Sequence, residues 1–315
     1  MFFKDKRTLV TGGAGFIGSH MIDRLVNEGA KVTCIDNLSA GSVKNLEQVI
    51  DEIEFIEGDI RNKTLIDKLT RNKDMVIHIA ANASVPASVN NPYNDFESNV
   101  VGTFNILRAA VECNAGKVLY ASSAAVYGNP IYIPVDEKHL LSPVSPYGAT
   151  KLAGERMGFA YKKTYGLNFA AVRIFNTYGP RQPRYVMYDF VKKLLNNPKK
   201  LEVLGTGRQV RDYSYVGDTV AAMLIVAEKG EDSYNIAGGN PITIKELAEM
   251  MAKELAPYAQ IEYGYETWKG DIEVLAADIS KIKALGFIPK TDLKEGLVKM
   301  IEFTRKSILD ENMLH

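Results

Sequence analysis

A tyrosine and a lysine four positions apart are the side chains of this sequence best suited to acid–base chemistry. Ser145 is a plausible helix N-cap and Pro146 suits the first helical position, so Tyr147 and Lys151 are expected on one helix face. An unperturbed phenol titrates near ~10, and a nearby ammonium lowers that pKa. The pair therefore predicts a base that takes a proton from a substrate hydroxyl, although this spacing taken alone is most often an ordinary helix face.

A serine at the end of a predicted strand adds a second polar group. Ser122 and Ser123 follow the β-branched run 118–121. If that run is a strand of a parallel sheet, both serines lie at its carboxyl edge, where ligands bind. A hydroxyl there can hydrogen-bond the reacting oxygen and shuttle a proton, while the alternative is a turn serine that satisfies the strand end.

The elements that must position these side chains alternate along the first half of the chain. Predicted strands are 7–10, 31–35, 53–57, 75–79, 118–121 and 169–174, and predicted helices include 17–28, 64–70, 96–113 and 146–165. This alternation predicts the α/β class, a doubly wound (Rossmann) parallel sheet covered on both faces.

From Asn176 onward prolines punctuate shorter elements, which predicts a smaller, mixed C-terminal substrate lobe. We expect a cofactor-binding domain over 1–175, to which 211–237 returns, and a second lobe formed by 176–210 and 238–315. Segment 216–227 reads as a helix that packs back on the first lobe. The second lobe would close over the carboxyl edge of the sheet.

A glycine loop follows the first predicted strand. Gly12 permits a tight turn, Gly15 lets the backbone approach a pyrophosphate, and Gly18 lets the next helix pack closely. Asp36 ends the second strand 18 residues after Gly18, where an acid can bind both ribose hydroxyls of an adenosine and favours NAD over NADP. Asp59, after the third strand, could accept from the adenine amino group or cap a helix before Ile60.

Composition excludes several classes of protein. The 315 residues contain 38 Lys plus Arg and 38 Asp plus Glu, and this zero balance argues against a nucleic-acid partner. Cys34 and Cys113 form neither a disulfide framework nor a zinc spacing, and His78 reads as a packed core histidine, so no metal site is indicated. The longest apolar run, 220–227, has eight residues, far short of the roughly 20 of a membrane helix. We expect a cytoplasmic protein with no targeting segment and no membrane contact.

Taken together, the motifs of this chain resemble the extended short-chain dehydrogenase/reductases of the NAD-dependent epimerase/dehydratase family. The resemblance covers nearly the full length and is greatest to UDP-glucose and UDP-N-acetylglucosamine 4-epimerases. Its motifs are residues 11–18, Asp36-Asn37, Asp59-Ile60, residues 78–81, Asn99, residues 122–128, residues 147–151, residues 173–176 and residues 210–213.

The resemblance implies a role for each matching residue. Tyr147 is the expected base, Lys151 binds the nicotinamide ribose and lowers the tyrosine pKa, and Ser123 is the catalytic hydroxyl. The expected cofactor-binding residues are Gly12, Gly15, Phe16, Ile17, Gly18, Asp36, Asn37, Ser39, Gly41, Asp59, Ile60, Ala80, Ala81, Asn99, Tyr147 and Lys151. The expected substrate-binding residues are Ser84, Ser123, Tyr147, Asn176, Arg184, Arg211, Asp271 and Leu275.

Physical chemistry supports the diphosphate-binding role of Arg211, because an arginine fork binds concentrated negative charge at two points. Other positions depart from the family. Trp268 stands where many members have an arginine, so one cation on the diphosphate is replaced by Arg184 or by packing. Leu275 stands where more restrictive members have a tyrosine, which favours room for N-acetylhexosamines. Residues 123–125 read Ser-Ala-Ala and lack the acids of the dehydratases and the glutamate of the decarboxylases.

The resemblance implies an NAD-dependent nucleotide-sugar 4-epimerase that acts on a UDP-sugar through a transient 4-keto intermediate. One alternative is an epimerase or reductase of UDP-glucuronate or of a deoxysugar nucleotide. A second, from another class, is a non-catalytic NAD-sensing protein, and the presence of the Tyr-Lys pair argues against it. Helices 96–113 and 146–165 match those that form a four-helix dimer interface in the family, so a homodimer is expected.

Overall fold

The computed structural model of the protein describes residues 2–264 and 272–313, with side chains described as far as residue 308. Its strands are β1 Arg7–Thr11, β2 Lys31–Asp36, β3 Glu54–Glu57, β4 Met75–His78, β5 Val118–Ser123, β6 Phe169–Ile174, β7 Asn176–Tyr178, β8 Lys200–Val203, β9 Val210–Arg211, β10 Tyr213–Tyr215, β11 Ser233–Ile236, β12 Ile242–Thr243, β13 Gln260–Tyr263 and β14 Val274–Leu275. Its α-helices are α1 Phe16–Asn27, α2 Lys63–Thr70, α3 Val85–Asn90, α4 Pro92–Asp95, α5 Gly102–Glu112, α6 Pro146–Tyr165, α7 Val186–Asn196, α8 Val216–Lys229, α9 Ile244–Leu255, α10 Ser280–Lys283 and α11 Leu293–Met313. A π-helical segment, Phe96–Val101, joins α4 to α5, and short 3₁₀ turns occupy Val43–Leu46, Ile50–Glu52 and Ala124–Val126.

The central sheet has the order β11-β6-β5-β4-β1-β2-β3, and every neighbouring pair in it is parallel. Strand order runs outward from β1 in both directions, so the crevice between β1 and β4 is the topological switch point of a doubly wound sheet. The predicted fold class is confirmed. The six predicted strands all form within one or two residues of their expected ends; five of them are mostly buried, whereas β3 at the edge of the sheet has exposed glutamates at both ends.

Two hydrophobic clusters cover the two faces of the sheet. Adjacent residues of β1 point to opposite sides, so Val10 packs in a cluster with Leu25 of α1, whereas Leu9 packs with Ile106 of α5. Helix α8 packs against α1 and β6, as expected for segment 216–227.

The chain after β6 builds a third cluster and three small sheets, in which β7 pairs with β10, β8 with β13, and β9 with β12 and β14. Strand β12 is antiparallel to β9 while β14 is parallel to it, which makes this region mixed, as predicted. Segment 233–236 leaves this region and adds β11 to the large sheet. None of the helices that the structure describes has the length and apolar character needed to cross a bilayer.

Candidate active site

The turn between β1 and α1 can be built only from glycine at two positions. Gly12 has φ +71°, and a Cβ there would lie 2.7 Å from the Ala80 nitrogen; a Cβ on Gly18 would lie 2.0 Å from the Gly12 oxygen. At Gly15 the nearest atom to an added Cβ is the Gly12 oxygen, at 3.2 Å. Gly15 is also the N-cap of α1 and has no capping side chain, so the first-turn N–H groups remain available to an anion. This turn fits a pyrophosphate.

Asp36 lies at the end of β2, directly beside the glycine turn. Its Oδ2 accepts from the Ala14 N–H at 3.0 Å and its Oδ1 from the Leu38 N–H at 2.8 Å. Burial raises the pKa of this carboxyl, and the backbone donors oppose that shift. Because a carboxylate has about four acceptor positions, Asp36 keeps capacity for ribose hydroxyls. Gly41 packs on Ala14, where an added Cβ would meet the Ala14 carbonyl carbon at 2.8 Å.

The loop after β2 is tied to the loop after β3. Asn37 accepts from the Ser39 hydroxyl at 2.7 Å and donates to Asp59 Oδ2 at 2.9 Å. Arg61 donates to both oxygens of Asp59, and this pairing lowers the pKa of that carboxyl to about 2. The alternative role of Asp59 as a helix cap is wrong, because α2 begins at Lys63 and is capped by Asn62, whose side chain accepts from the Leu65 N–H. Ile60 is buried against Gly102.

Ser123 and Tyr147 meet at the carboxyl end of β5. Ser145 caps α6 by accepting from the Gly148 N–H at 3.1 Å, which sets Tyr147 in the first turn. The Tyr147 N–H donates to Ser88 Oγ at 3.2 Å. The Ser123 side chain lowers the pKa of the Tyr147 phenol, which favours the phenolate. The predicted serine and tyrosine therefore lie at the same edge of the sheet, Ser123 at the end of β5 and Tyr147 in the first turn of α6.

Lys151 follows one turn later on α6 and is 3% exposed. Its ammonium lies 4.8 Å from the centroid of the Tyr120 ring. Burial lowers the pKa of Lys151 to about 7, against the opposing charge of Asp95. The pKa of Tyr147 is raised, chiefly by burial and then by the Tyr185 phenol. The expectation that the Tyr147 pKa is lowered is therefore wrong for the protein groups alone, because desolvation outweighs the favourable contacts.

Asn99 lies in the π-helical segment and is 1% exposed. Its Oδ1 accepts from the Asn82 N–H at 2.8 Å, and its Nδ2 donates to the Asn82 carbonyl at 3.1 Å and to Thr150 Oγ1 at 3.0 Å. The Asn99 amide thus holds the backbone strip 80–84, which carries Ala80 and Ala81 past the glycine turn. Ser84 ends this strip as the N-cap of α3, accepting from the Ala87 N–H at 3.2 Å. Sequence reasoning missed Asn82 and Thr150, because neither spacing nor residue type marks them.

Three of the expected substrate-binding residues lie on short strands that come after β6 in the chain. Asn176 opens β7 directly after β6 and pairs with Tyr213 of β10. Arg211 of β9 is the register partner of Leu275 of β14, and its Nη1 donates to the Val210 carbonyl at 2.8 Å. Leu275 is 7% exposed and belongs to a hydrophobic cluster. Asp271, like Trp268, lies outside the described residues.

Tyr185 is a contact across the cleft that the sequence did not indicate. Its hydroxyl donates to the Ala83 carbonyl at 2.5 Å, and its φ of +76° is a conformation that residue type does not predict for a tyrosine. The Arg184 guanidinium lies 5.2 Å from the Tyr185 ring centroid and lowers the pKa of Tyr147 through its charge. Arg181 instead pairs with Asp23 of α1 at 2.7 Å.

His78 is a core histidine, as predicted. It is 1% exposed, with Nδ1 2.7 Å from Thr11 Oγ1 and Nε2 2.9 Å from Thr103 Oγ1. Burial lowers its pKa to about 3, so the ring is neutral at physiological pH. Its ring nitrogens are occupied by structural hydrogen bonds.

A doubly wound parallel sheet with a glycine turn after β1, and a serine, tyrosine and lysine at the carboxyl edge, defines the class of short-chain dehydrogenases/reductases. Residues 9–300 match the family model described as GDP-mannose 4,6 dehydratase, and the chain belongs to this family of NAD-dependent epimerases and dehydratases. It is an enzyme of the nucleotide-sugar epimerase/dehydratase type.

Similar proteins cover almost the whole chain. It is 35% identical over 310 residues to a UDP-glucose 4-epimerase of Mycolicibacterium smegmatis, which covers 95% of this chain and 98% of that protein. A UDP-N-acetylglucosamine 4-epimerase from Methanobrevibacter ruminantium, solved with UDP-N-acetylmuramic acid, has a TM-score of 0.92, 35% identity and coverage of 96% and 99%. The Thermus thermophilus UDP-glucose 4-epimerase, solved with NAD, has a TM-score of 0.88, 33% identity and coverage of 95% and 99%. Decarboxylases and dehydratases also match, so family membership alone leaves the reaction open.

Proposed function

We propose that the protein is an NAD-dependent 4-epimerase of UDP-sugars, interconverting UDP-glucose with UDP-galactose and the corresponding N-acetylhexosamine pair. The observation that carries the proposal is the placement of Ser123 at the carboxyl end of β5 and of Tyr147 in the first turn of α6, one helical turn from the buried Lys151. Epimerases among the similar proteins support it.

The residues around the switch point would hold NAD. The glycine turn would face the pyrophosphate, Asp36 the adenosine ribose and Lys151 the nicotinamide ribose. The absence of a side chain at Gly15, the N-cap of α1, and the spare acceptor capacity of Asp36 both fit this ligand. NAD bound there would supply a hydride acceptor for the sugar C4 and a hydride donor for the resulting 4-keto group, so the net redox change would be zero.

The protein's own groups manage the proton. Tyr147 would take the proton of the sugar 4-hydroxyl as the bond between C4 and its hydrogen breaks, while Ser123 hydrogen-bonds the same oxygen. Tyr147 would return the proton to that oxygen when the 4-keto group is reduced. Because burial raises the Tyr147 pKa, the phenolate forms only when positive charge lies close by. Lys151, buried one helical turn after Tyr147, would supply it.

Residues 123–125 argue against the other reactions of the family. A 4,6-dehydration needs an acid that protonates a departing hydroxyl, and the positions after Ser123 are Ala124 and Ala125. Ala124 is 3% exposed and begins a short 3₁₀ turn. No acid stands there to drive the loss of water.

A specific observation favours one second candidate, a UDP-glucuronate 4-epimerase. The Arg184 charge reaches the Tyr147 phenol, so a carboxylate on the sugar ring would find a cationic partner near the base. The same class of reaction and the same residues would apply, with a different group at C5 of the sugar.

The substrate diphosphate would lie against Asn176 and Arg211, and Leu275, the register neighbour of Arg211, would set the room beside the sugar. The UDP-sugar would then lie between a cofactor domain of 1–175 with 211–237 and a substrate lobe of 176–210 with 238–315. We extend the proposal to a homodimer formed through α5 and α6.

The experiment is incubation of the purified protein, without added reductant, with UDP-glucose, UDP-N-acetylglucosamine and UDP-glucuronate in separate tubes. Proton NMR of the anomeric signals follows each reaction, and we expect the galacto epimer in the first two. The Tyr147→Phe variant should bind NAD and lose turnover by about 100-fold or more, the usual contribution of acid–base catalysis. Full activity of that variant, or no epimer from any of the three nucleotides, would overturn the proposal.

A further inference from the structure

The segment between β7 and α7 is fastened at one end to α1. The His20 ring donates through Nε2 to the Pro180 carbonyl at 2.9 Å. Arg181 Nη1 forms an ion pair with Asp23 Oδ2 at 2.7 Å, and the two side chains are 12% and 24% exposed. Because solvent and salt screen a partly buried ion pair only weakly, this end of the segment is firmly held.

The other end of the segment is fastened to the strip 80–84. The Tyr185 hydroxyl donates to the Ala83 carbonyl at 2.5 Å. Tyr185 is 51% exposed, and the Arg184 guanidinium lies over its ring, 5.2 Å from the centroid. A hydrogen bond from a half-exposed side chain is readily exchanged for one to water, so this end is the weaker of the two.

Residues 180–185, here called the strap, therefore cross the crevice in which NAD is expected to lie. Helix α1 follows β1 and the strip 80–84 follows β4, and these two strands are neighbours at the switch point. The glycine turn and the strip meet there, since a Cβ on Gly12 would lie 2.7 Å from the Ala80 nitrogen. A segment that is tied to both elements spans the carboxyl edge between them.

Backbone strain lies at both fastened residues. Arg181 has φ +66° and Tyr185 has φ +76°, in the left-handed region that residues other than glycine rarely adopt. Such conformations persist only where surrounding contacts hold them in place. Loss of the Tyr185 hydrogen bond would therefore let the backbone of that residue relax, which favours release of this end of the strap.

Hydrogen bonds within the strap locate its hinge. The Gln182 N–H donates to the Gly179 carbonyl at 3.3 Å, and Gln182 Nε2 donates to the Thr177 carbonyl at 3.2 Å. Together with the contacts to α1, these bonds hold residues 180–182 as a turn. Opening at the Tyr185 end then needs rotation only about residues 183–185.

We propose that the strap is a gate for the cofactor: it is closed while Tyr185 binds Ala83, and NAD enters and leaves when that bond is broken. The inference rests on the proposed binding of NAD at the switch point and not on the proposed epimerisation. Because the Tyr185 bond joins two protein groups, its loss should speed entry and exit of NAD equally and leave the equilibrium affinity unchanged.

The test measures NAD exchange in Tyr185→Phe, which removes only the hydroxyl. The full-length protein is loaded with ¹⁴C-labelled NAD and chased with excess unlabelled NAD, so that the retained label gives the dissociation rate. Equilibrium dialysis gives the Kd. We expect dissociation to be about fivefold faster in the variant, the usual effect of losing one hydrogen bond, while the Kd stays within about twofold of wild type.

Tyr132→Phe is the matched control. The Tyr132 hydroxyl also donates to a single protein acceptor, Asp136 Oδ1 at 2.7 Å, in the loop between β5 and α6. Removing that hydroxyl should leave both the dissociation rate and the Kd at their wild-type values.

Limited proteolysis gives a second readout that needs no cofactor. Trypsin cleaves after arginine, and the peptide bond after Arg184 lies inside the strap. When a segment opens and closes quickly, its cleavage rate follows the population of the open form. Cleavage at Arg184, identified by mass spectrometry, should therefore be faster in Tyr185→Phe and unchanged in Tyr132→Phe.

The outcomes separate the gate from the proposed reaction. An unchanged dissociation rate in Tyr185→Phe overturns the gate, even if the wild type epimerises UDP-sugars. A Kd that rises by the same factor as the dissociation rate shows that the hydroxyl contacts NAD directly, and this also overturns the gate. Faster dissociation at constant Kd, with faster cleavage at Arg184, supports the gate; in a protein that epimerises nothing, only the proposed function is then overturned. A wild-type protein that binds no NAD overturns both.

Discussion

The residues of the candidate site were predictable by type, and their charge states were not. Residue type, the cap at Ser145 and the four-residue spacing indicated Tyr147 and Lys151 on one helix turn, and the structure places them there. Their pKa values depend on burial and on Asp95 and Tyr185, which reach the site from elements distant in sequence. A local pattern contains no information about those neighbours.

The hydrogen bonds that link Asn82 to its neighbours could not be predicted from the sequence, for a related reason. Asn82, Asp95 and Thr150 are polar residues of kinds that are common in loops and helix termini. Their partners lie 13 to 51 positions away along the chain. Asn99 was singled out only because it resembles a family position.

At the glycine turn, adding a single methyl group should weaken cofactor binding without preventing folding. In Gly15→Ala the added Cβ meets only the Gly12 oxygen at 3.2 Å, so the protein should fold, but the methyl group occupies the approach to the α1 amide groups. We expect NAD affinity to fall by about tenfold or more, roughly 1.4 kcal/mol, measured by equilibrium dialysis after NAD removal.

Gly217→Ala is the control for crowding. Its Cβ would lie 3.1 Å from the Tyr215 ring, a similar clearance on a helix away from the turn. Equal NAD affinity in Gly15→Ala and wild type would show that the glycine turn is not part of the cofactor site.

At the scale of elements, the buried strands were the most predictable part of the fold. Strands such as β5 are apolar on both faces, and the parallel sheet buries both. The helix predicted over 96–113 is interrupted by π-helical Phe96–Val101, because that register turns Asn99 inward to the strip 80–84. A hydrophobic pattern does not distinguish such a segment from a regular helix.

A buried ion pair joins the catalytic helix to two strands. Glu155 of α6 is 0% exposed; it accepts from Arg173 Nη2 of β6 at 2.6 Å and from the Ser233 hydroxyl of β11 at 3.0 Å. In Glu155→Gln the Arg173 charge remains buried without a counter-charge. The free energy of unfolding should fall by about 3–5 kcal/mol, measured by denaturant titration.

Glu295→Gln removes an exposed pair with Lys299 on one face of α11, and its effect should be about 0.3–0.5 kcal/mol. Equal losses in the two variants would show that the Glu155 pair does not hold α6 to the sheet.

At the scale of the whole molecule, the path of the chain between lobes was readable from the sequence, because an apolar helix at 216–229 has to cover the large sheet. The pairing of β9 with both β12 and β14 was not, since these two-residue strands carry no pattern of their own. The division into 1–175 with 211–237 and 176–210 with 238–315 stays a prediction.

The proposed homodimer predicts a mass near twice 34.8 kDa by light scattering. Phe96 of the π-helical segment and Phe104 of α5 are 49% and 42% exposed, and their burial by a partner would stabilise association. Phe104→Glu should yield the single-chain mass. Tyr258→Glu, at a tyrosine that is 96% exposed before β13, should leave the mass unchanged. A wild-type mass of one chain would contradict the dimer.

The most direct test of the central claim follows one hydrogen atom. UDP-glucose deuterated at C4 is incubated with the protein, without added reductant, and the product is read by NMR and mass spectrometry. We predict UDP-galactose that retains deuterium at C4, because the hydride leaves and returns to the same carbon. Deuterium found at C6 with loss of water, or lost to solvent, would contradict 4-epimerisation.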